Sequence, residues 1–340
     1  MQSLIARLDE AWIVRRTPPA TSRRHRRCPT AACSLPHRAD HLRLTPSGRS
    51  RVTPTEESSV DAPLPSFAIA EDLATALDIE ALDRDLFRGI HAVDALDRST
   101  LYGGQVAGQA LRAAGLTVAE DRFPHSLHGY FLRAGRRELP VLFQVDRDRD
   151  GRSFSARHVT AIQDGEVIFS MLASFHTDRE GGVFDGVPNG ERPPPSEAAP
   201  GDWSRLLDIR EITRSRTEGD RLFFPDHLWV KVIHPLPDDR LIHACALTYV
   251  SDLSTGFGQV DRPGLGTGGP SIDHALWFQS PVRADDWLAL QMWPAKAGGQ
   301  RGVYFGAVRD QQGHLAAVLA QEQLTLLRTA SDAPLPEHTA

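Results

Sequence analysis

The feature that most limits what this chain can become is an internal repeat. A helix-like segment, YGGQVAGQALRAAGLTVAED, leads into LHGYFLRAG, LPVLFQVDRD and the long pair FSARHVTAIQDGEVIFSMLASFHT. After a Gly/Pro-rich stretch comes a second series: PDDRLIHACALTYVSDLSTG, IDHALWFQSP, WLALQMWPA and VYFGAVRDQQGHLAAVLAQEQLTLL. Set in register, His128 falls on His274, Phe131 on Trp277 and Gly165 on Gly313, so the offset moves from 146 to 148 through a two-residue insertion. One helix followed by four strands, twice over, is a duplicated unit. Strands follow each helix in a run, which makes the class α+β with antiparallel sheet, each helix wrapped by strands.

Local patterns fill in the unit. IAEDLATALDIEALDRDLFRG has helical spacing at Leu73 and Leu77 and then a strand-like LFRG, with order beginning near Phe67. In the first central helix Gly103-Gly104 break the chain, and Val106, Ala110, Ala113 and Thr117 mark one face. Gly108 and the alanines keep that helix small enough to lie close against a sheet. Asp164-Gly165 is the strongest type of hairpin dipeptide. LDIREIT and HLWVKVIHPLP read as strands before the second helix, where Ile242, Ala246, Tyr249 with Val250, and Leu253 recur at helical spacing. Acidic residues are expected in that helix's first turn, as the macrodipole prefers. Residues 254–270 form a Gly-rich loop. The resulting division is a leader at 1–64, one unit over 65–178, a linker at 179–203, a second unit over 204–330 and a tail at 331–340.

Composition narrows the function. The chain has 340 residues, 41% of them hydrophobic, enough for two domains of ordinary size. No apolar run approaches the ~18 residues of a membrane span, so stable membrane insertion is not expected. Residues 1–60 hold eleven Arg against five acidic residues; the net charge of −6 for the chain leaves −12 for the remainder. An acidic body argues against nucleic acid as a partner. Cys28, Cys33 and Cys245 give neither a disulfide framework nor zinc spacing, Cys245 reads as core, and a cytoplasmic setting is expected. The leader, with RRHRRCPTAAC and LTPSGRSRVTPTEESS, reads as disordered. A transit peptide or nucleic-acid arm competes there with a solvated tail or an upstream-extended start.

Three polar side chains interrupt apolar segments of the second unit: Asp252 at the helix end, Ser271 after Gly268-Gly269-Pro270, and Gln321 in VLAQEQLTLL. Each has a bland explanation, since a C-terminal Asp faces water, a Ser caps a turn and a Gln sits on an edge strand. The repeat weakens those explanations, because the first unit has Ala173 where the second has Gln321. A carboxylate, a hydroxyl and an amide can together hold one water, the carboxylate accepting its proton. Such a site suits an activated acyl group, and a thiol with a pKa near ~8.5 leaves with little help from an acid. N–H donors for the oxyanion are expected from Gly104 and Gln105 at the start of the first central helix.

Other motifs fail. GPSID lacks the second Gly of a nucleophile elbow, and neither a P-loop nor a dinucleotide fingerprint is present. His125 and His128 stand three apart on a strand entry with no third ligand, so no metal site is expected. Arg149, Arg152 and Arg157 have the chemistry to meet phosphates, although a solvated hairpin face accounts for at least two of them; Arg152 is retained as a substrate-binding candidate.

FRG, GGQVAGQAL, HSLHGYFLRAG, RDGRSFSARHVTAIQDGEVIFSMLASF, YVSDL, IDHALWF and AQEQL, in that order over about residues 75–328, resemble the acyl-CoA thioesterase II family. The resemblance implies a double-hotdog fold, hydrolysis of acyl-CoA to fatty acid and CoA without metal or cofactor, and association into a homo-oligomer. It maps the family's Asp, Thr or Ser, and Gln onto Asp252, Ser271 and Gln321, with Ser where many members carry Thr. Competing expectations are a non-catalytic acyl-CoA-binding sensor or scaffold, a hydratase built on Asp273-His274, and a serine esterase using Ser271.

Overall fold

The computed structural model describes residues 68–92, 100–201, 204–218, 221–223, 225–253, 256–258, 260 and 267–326. The leader at 1–64 and the tail at 331–340 lie outside these. In chain order the first half contains β1 (Ala68–Ile69), α1 (Leu73–Leu77), β2 (Glu80–Asp83), β3 (Leu86–Gly89), β4 (His91–Ala92), α2 (Gly103–Gly115), β5 (Phe123–Phe131), β6 (Val141–Asp150), β7 (Phe154–Gln163) and β8 (Glu166–His176). The second half contains β9 (Ala199–Gly201), β10 (Leu207–Glu211), β11 (Arg216–Glu218), β12 (Arg221–Phe223), β13 (His227–Val232), α3 (Arg240–Ser251), β14 (Thr267–Ser271), β15 (Asp273–Phe278), β16 (Leu288–Gly298), β17 (Arg301–Arg309) and β18 (Leu315–Leu326).

The main sheet runs β2-β3-β6-β7-β8-β5-β15-β18-β17-β16-β13-β10-β9, with β14 also on β18. The order is a palindrome about the β5–β15 junction: β5, β8, β7, β6 and β3 on one side answer β15, β18, β17, β16 and β13 on the other. The repeat read from sequence is therefore also a repeat in space. At the junction the strands are antiparallel, with Gly129 opposite His274 and Leu127 opposite Leu276. In β7 burial alternates residue by residue, so one face of that strand is apolar. The Asp164-Gly165 turn has φ of 50° and 76°, the left-handed pair that a tight hairpin requires.

The inner faces close on α2 and α3, which lie antiparallel. A Cβ on Gly104 would stand 2.5 Å from the Tyr249 carbonyl oxygen, one on Gly108 3.0 Å from that of Cys245, and one on Gly115 2.4 Å from the Leu241 side chain. The glycines of α2 thus serve the approach of α3, whereas sequence reasoning assigned its small residues to the sheet. Leu111, Phe143, Phe169, Met171, Tyr249 and Leu276 are fully buried around the two helices. Each such side chain contributes about 1.5–3 kcal/mol of transfer free energy. Cys245 belongs to this core, and burial pushes its thiol up to about 12.

Two local expectations are corrected. The first turn of α3 contains no acidic residue; Asp239 is instead its N-cap, accepting from the Leu241 N–H at 2.8 Å. The end of the Gly-rich loop is strand β14, which pairs with β18 and carries an irregularity between Gly268 and Ser271. Ser271 therefore closes β14, and the next strand begins at Asp273. Part of the linker is pinned to the second half: Asp185 pairs with the buried Arg309 at 2.6 Å, and the Pro193 carbonyl accepts from Trp229 Nε1 at 2.9 Å.

Candidate active site

The end of α3 is tied off carbonyl by carbonyl. Ser251 Oγ lies 2.9 Å from the Thr248 carbonyl oxygen. The Tyr102 hydroxyl donates to the Tyr249 carbonyl at 2.8 Å. The Asp252 and Leu253 N–H groups both turn back to the Val250 carbonyl. Asp252 is consequently fixed as the C-cap, half-buried, where the N-terminus of antiparallel α2 begins. A Cβ on Gly103 would lie 2.7 Å from Asp252 Oδ2 and 3.0 Å from the Phe131 ring.

Asp252, Ser271 and Gln321, separate in sequence, meet here. Gln321 Nε2 donates to Asp252 Oδ1 at 2.8 Å and also to Ser271 Oγ. The Ser271 hydroxyl stands 3.3 Å from the same Asp252 oxygen. Oδ1 is therefore engaged twice, and Oδ2 is the oxygen that faces α2. Gln321 does not lie on an edge strand: β18 is internal, and the side chain is 2% exposed. Tyr304, across from Gln321 on β17, is also fully buried. Burial first, and then the Asp252 and Asp273 charges, push its hydroxyl well above the ordinary tyrosine range.

The first N–H groups of α2 have no intrahelical partner, and Tyr102 supplies no side-chain cap. Gly103 and Gly104 thus present N–H groups at the positive end of a 13-residue helix beside Asp252. Gln105 does not join them: its N–H is bonded to the Tyr102 carbonyl at 3.1 Å, and its buried amide reaches the Ala76 carbonyl at 3.5 Å. Chemically the site combines one carboxylate oxygen held in place, a hydroxyl with a spare lone pair, and a helix N-terminus.

Family models match at both halves: "Acyl-CoA thioesterase N-terminal domain" over residues 94–176 and "Acyl-CoA thioesterase C-terminal domain" over residues 187–325. The chain belongs to the acyl-CoA thioesterase II family. It is 35% identical over 282 residues to acyl-coenzyme A thioesterase 8 of Homo sapiens, covering 74% of this chain and 87% of that protein. It is 30% identical to acyl-CoA thioesterase 2 of Haemophilus influenzae, covering 75% and 97%. Among solved structures it is similar to an acyl-CoA thioesterase II from Mycobacterium marinum, with 37% identity, a TM-score of 0.61 and coverage of 76% and 98%. A hot dog protein from Alicyclobacillus acidocaldarius, at 19% identity and a TM-score of 0.63, shares the fold. The palindromic sheet around two helices is the double hotdog, and the protein is an acyl-CoA thioester hydrolase.

In this thioesterase the arginines of the β6–β7 hairpin stand apart from the trio. Arg152 is exposed on the hairpin turn, at the end of the sheet where α2 finishes. Arg157 is buried and has no phosphate role. It donates from Nε to the Thr117 hydroxyl at 2.8 Å and from Nη2 to the Thr117 carbonyl at 3.0 Å, just past the end of α2, and pairs with Asp150 at 2.7 Å. His125 is held by Ser174 Oγ at 2.8 Å, and His128 meets the Trp277 ring edge-on. Asp273 and His274 do not act as a pair: Asp273 Oδ1 accepts from the Glu322 N–H, while the buried His274 ring turns inward to Ser251 and Gln321. Sequence reasoning did not single out Ser251, read Gly103 only as a break in the chain, and offered His274 only as half of a hydratase pair with Asp273. The available signal for Ser251 and Gly103 was their place directly beside Asp252 and Gly104. Among the described residues no helix is long and apolar enough to cross a membrane.

Proposed function

We propose that the enzyme hydrolyses fatty acyl-CoA with Asp252 as the base. The single observation that carries this reading is the convergence of Asp252, Ser271 and Gln321 next to the N-terminus of α2. Both amide hydrogens of Gln321 are committed, one to Asp252 Oδ1 and one to Ser271 Oγ, so Gln321 fixes the two oxygens that handle the water. The three groups touch directly. The water therefore stands beside the triangle, on the Oδ2 side, with one hydrogen on Oδ2 and the other on the spare lone pair of Ser271.

Its oxygen attacks the thioester carbonyl carbon while Oδ2 takes a proton. Negative charge collects on the former carbonyl oxygen, where the N–H groups of Gly103 and Gly104 meet it. Collapse breaks the carbon–sulfur bond, and the CoA thiolate takes back the proton held by Asp252. The products are a fatty acid and CoA. A homo-oligomer belongs to the same reading and is supported by the family resemblance.

A thiol-release assay over acyl-CoAs of increasing chain length tests the reaction. Turnover is expected on at least one length class without added metal. Saturable binding with no thiol release on any of them would favour an acyl-CoA sensor.

A further inference from the structure

We propose that His274 is a positioning residue that locks the Gln321 amide in its working orientation; the proposal rests on the role of Gln321 given above. A carboxylate only accepts, so the Gln321 nitrogen must face Asp252 Oδ1, as the 2.8 Å contact requires. The amide oxygen is then turned away, and it lies 2.5 Å from His274 Nδ1. Two acceptors cannot share that distance, so Nδ1 carries a hydrogen and donates it to Oε1.

The other ring nitrogen explains how this tautomer is held. Nε2 lies 2.8 Å from Ser251 Oγ, which lies 2.9 Å from the Thr248 carbonyl oxygen. The serine hydroxyl has one hydrogen. It donates that hydrogen to a bare Nε2, or accepts from a protonated Nε2 and donates to Thr248 instead. In both arrangements Nδ1–H stays on Gln321.

Ser251, His274 and Gln321 are 0%, 1% and 2% exposed, so no solvent competes for these bonds. The packing also fixes the ring from both sides. Ala275 pairs with Ala320 across β15 and β18, which sets His274 and Gln321 as the next residues on neighbouring strands. Ser251 reaches the ring from the last turn of α3. Without the histidine donor, a buried Oε1 has every reason to rotate toward other donors, and a flipped amide would place oxygen against the Asp252 carboxylate.

The first test reads the wild-type ring itself. Long-range proton–nitrogen spectra of the full-length protein labelled with 15N-histidine read the tautomer of each ring, and His274→Asn identifies the His274 signals by their loss. A protonated Nδ1 is expected; a bare Nδ1 with the proton on Nε2 overturns the proposal. The second test is kinetic. His274→Leu should lower kcat about 10- to 100-fold with KM little changed. His274→Asn places an amide N–H where Nδ1–H stood and should restore kcat to within about threefold of wild type. Full activity in His274→Leu, or His274→Asn as slow as His274→Leu, overturns it. If Gln321→Ala keeps full activity, the catalytic reading of Gln321 fails while the tautomer result stands by itself.

Discussion

Asp252 sits at the unfavourable end of its own helix. A carboxylate at a helix C-terminus opposes the macrodipole by about 0.3–1 kcal/mol. The N-terminus of α2 is brought against Oδ2 and offsets part of that cost. Gly103 is the residue that makes the approach possible. Gly103→Ala should push the carboxylate aside, since its Cβ would fall 2.7 Å from Oδ2, and lower kcat by about 100-fold while the fold is kept. Steady-state kinetics beside a far-ultraviolet spectrum checks both halves of that expectation. At this scale the polar trio was legible in sequence because each member breaks an apolar pattern. Ser251 and His274 were not, because a small hydroxyl in a helix and a ring in a strand also read as ordinary core. Gln105 misled for a different reason: sequence places it in the first turn of α2 but does not reveal that the Tyr102 carbonyl already takes its N–H.

The helices and strands were read more easily than their packing partners. The Asp164-Gly165 hairpin and the two central helices follow from turn chemistry and periodicity, which are local. Which face of α2 meets α3 is not local. Gly104→Ala would set a methyl 2.5 Å from a backbone oxygen that cannot rotate away. The cost expected is about 1–3 kcal/mol, read as a lower urea midpoint with an unchanged m-value. The partners of Arg157 are not local either. In RDGRSFSARH it looks like one more solvated arginine, yet it is buried just past the end of α2, where its positive charge suits the helix C-terminus. Arg157→Met should cost about 2–3 kcal/mol in the same measurement, through lost charge-assisted hydrogen bonds.

For the whole molecule, the duplication was legible because a helix and four strands recur in the same order, and the palindromic sheet is its spatial form. Acid stability is also a property of the whole. Burial, with the Arg192 charge added, lowers His227 to about 4, and burial lowers His243 as well. The Thr75 N–H bond, ahead of other causes, holds Asp72 below the usual carboxylate range. Between pH ~6.5, where an unfolded histidine titrates, and ~4, the unfolded chain binds a proton that folded His227 refuses. Stability is therefore full above that window and falls as pH drops through it, and Asp72 extends the loss into more acidic solution. Thermal melts from pH 7 to 4 should show a falling Tm, with His227→Gln flattening the fall between 6.5 and 4. An identical slope in the variant would show that His227 does not contribute to the acid loss.

Activation of the attacking water by Asp252 is read by the kcat of purified Asp252→Asn on an acyl-CoA that the wild type turns over. Losing the base should lower kcat by about 10²–10⁴-fold, while the Tm stays equal to wild type or rises as the unfavourable helix-end charge disappears. Hydrolysis by Asp252→Asn at the wild-type rate would rule Asp252 out as the base.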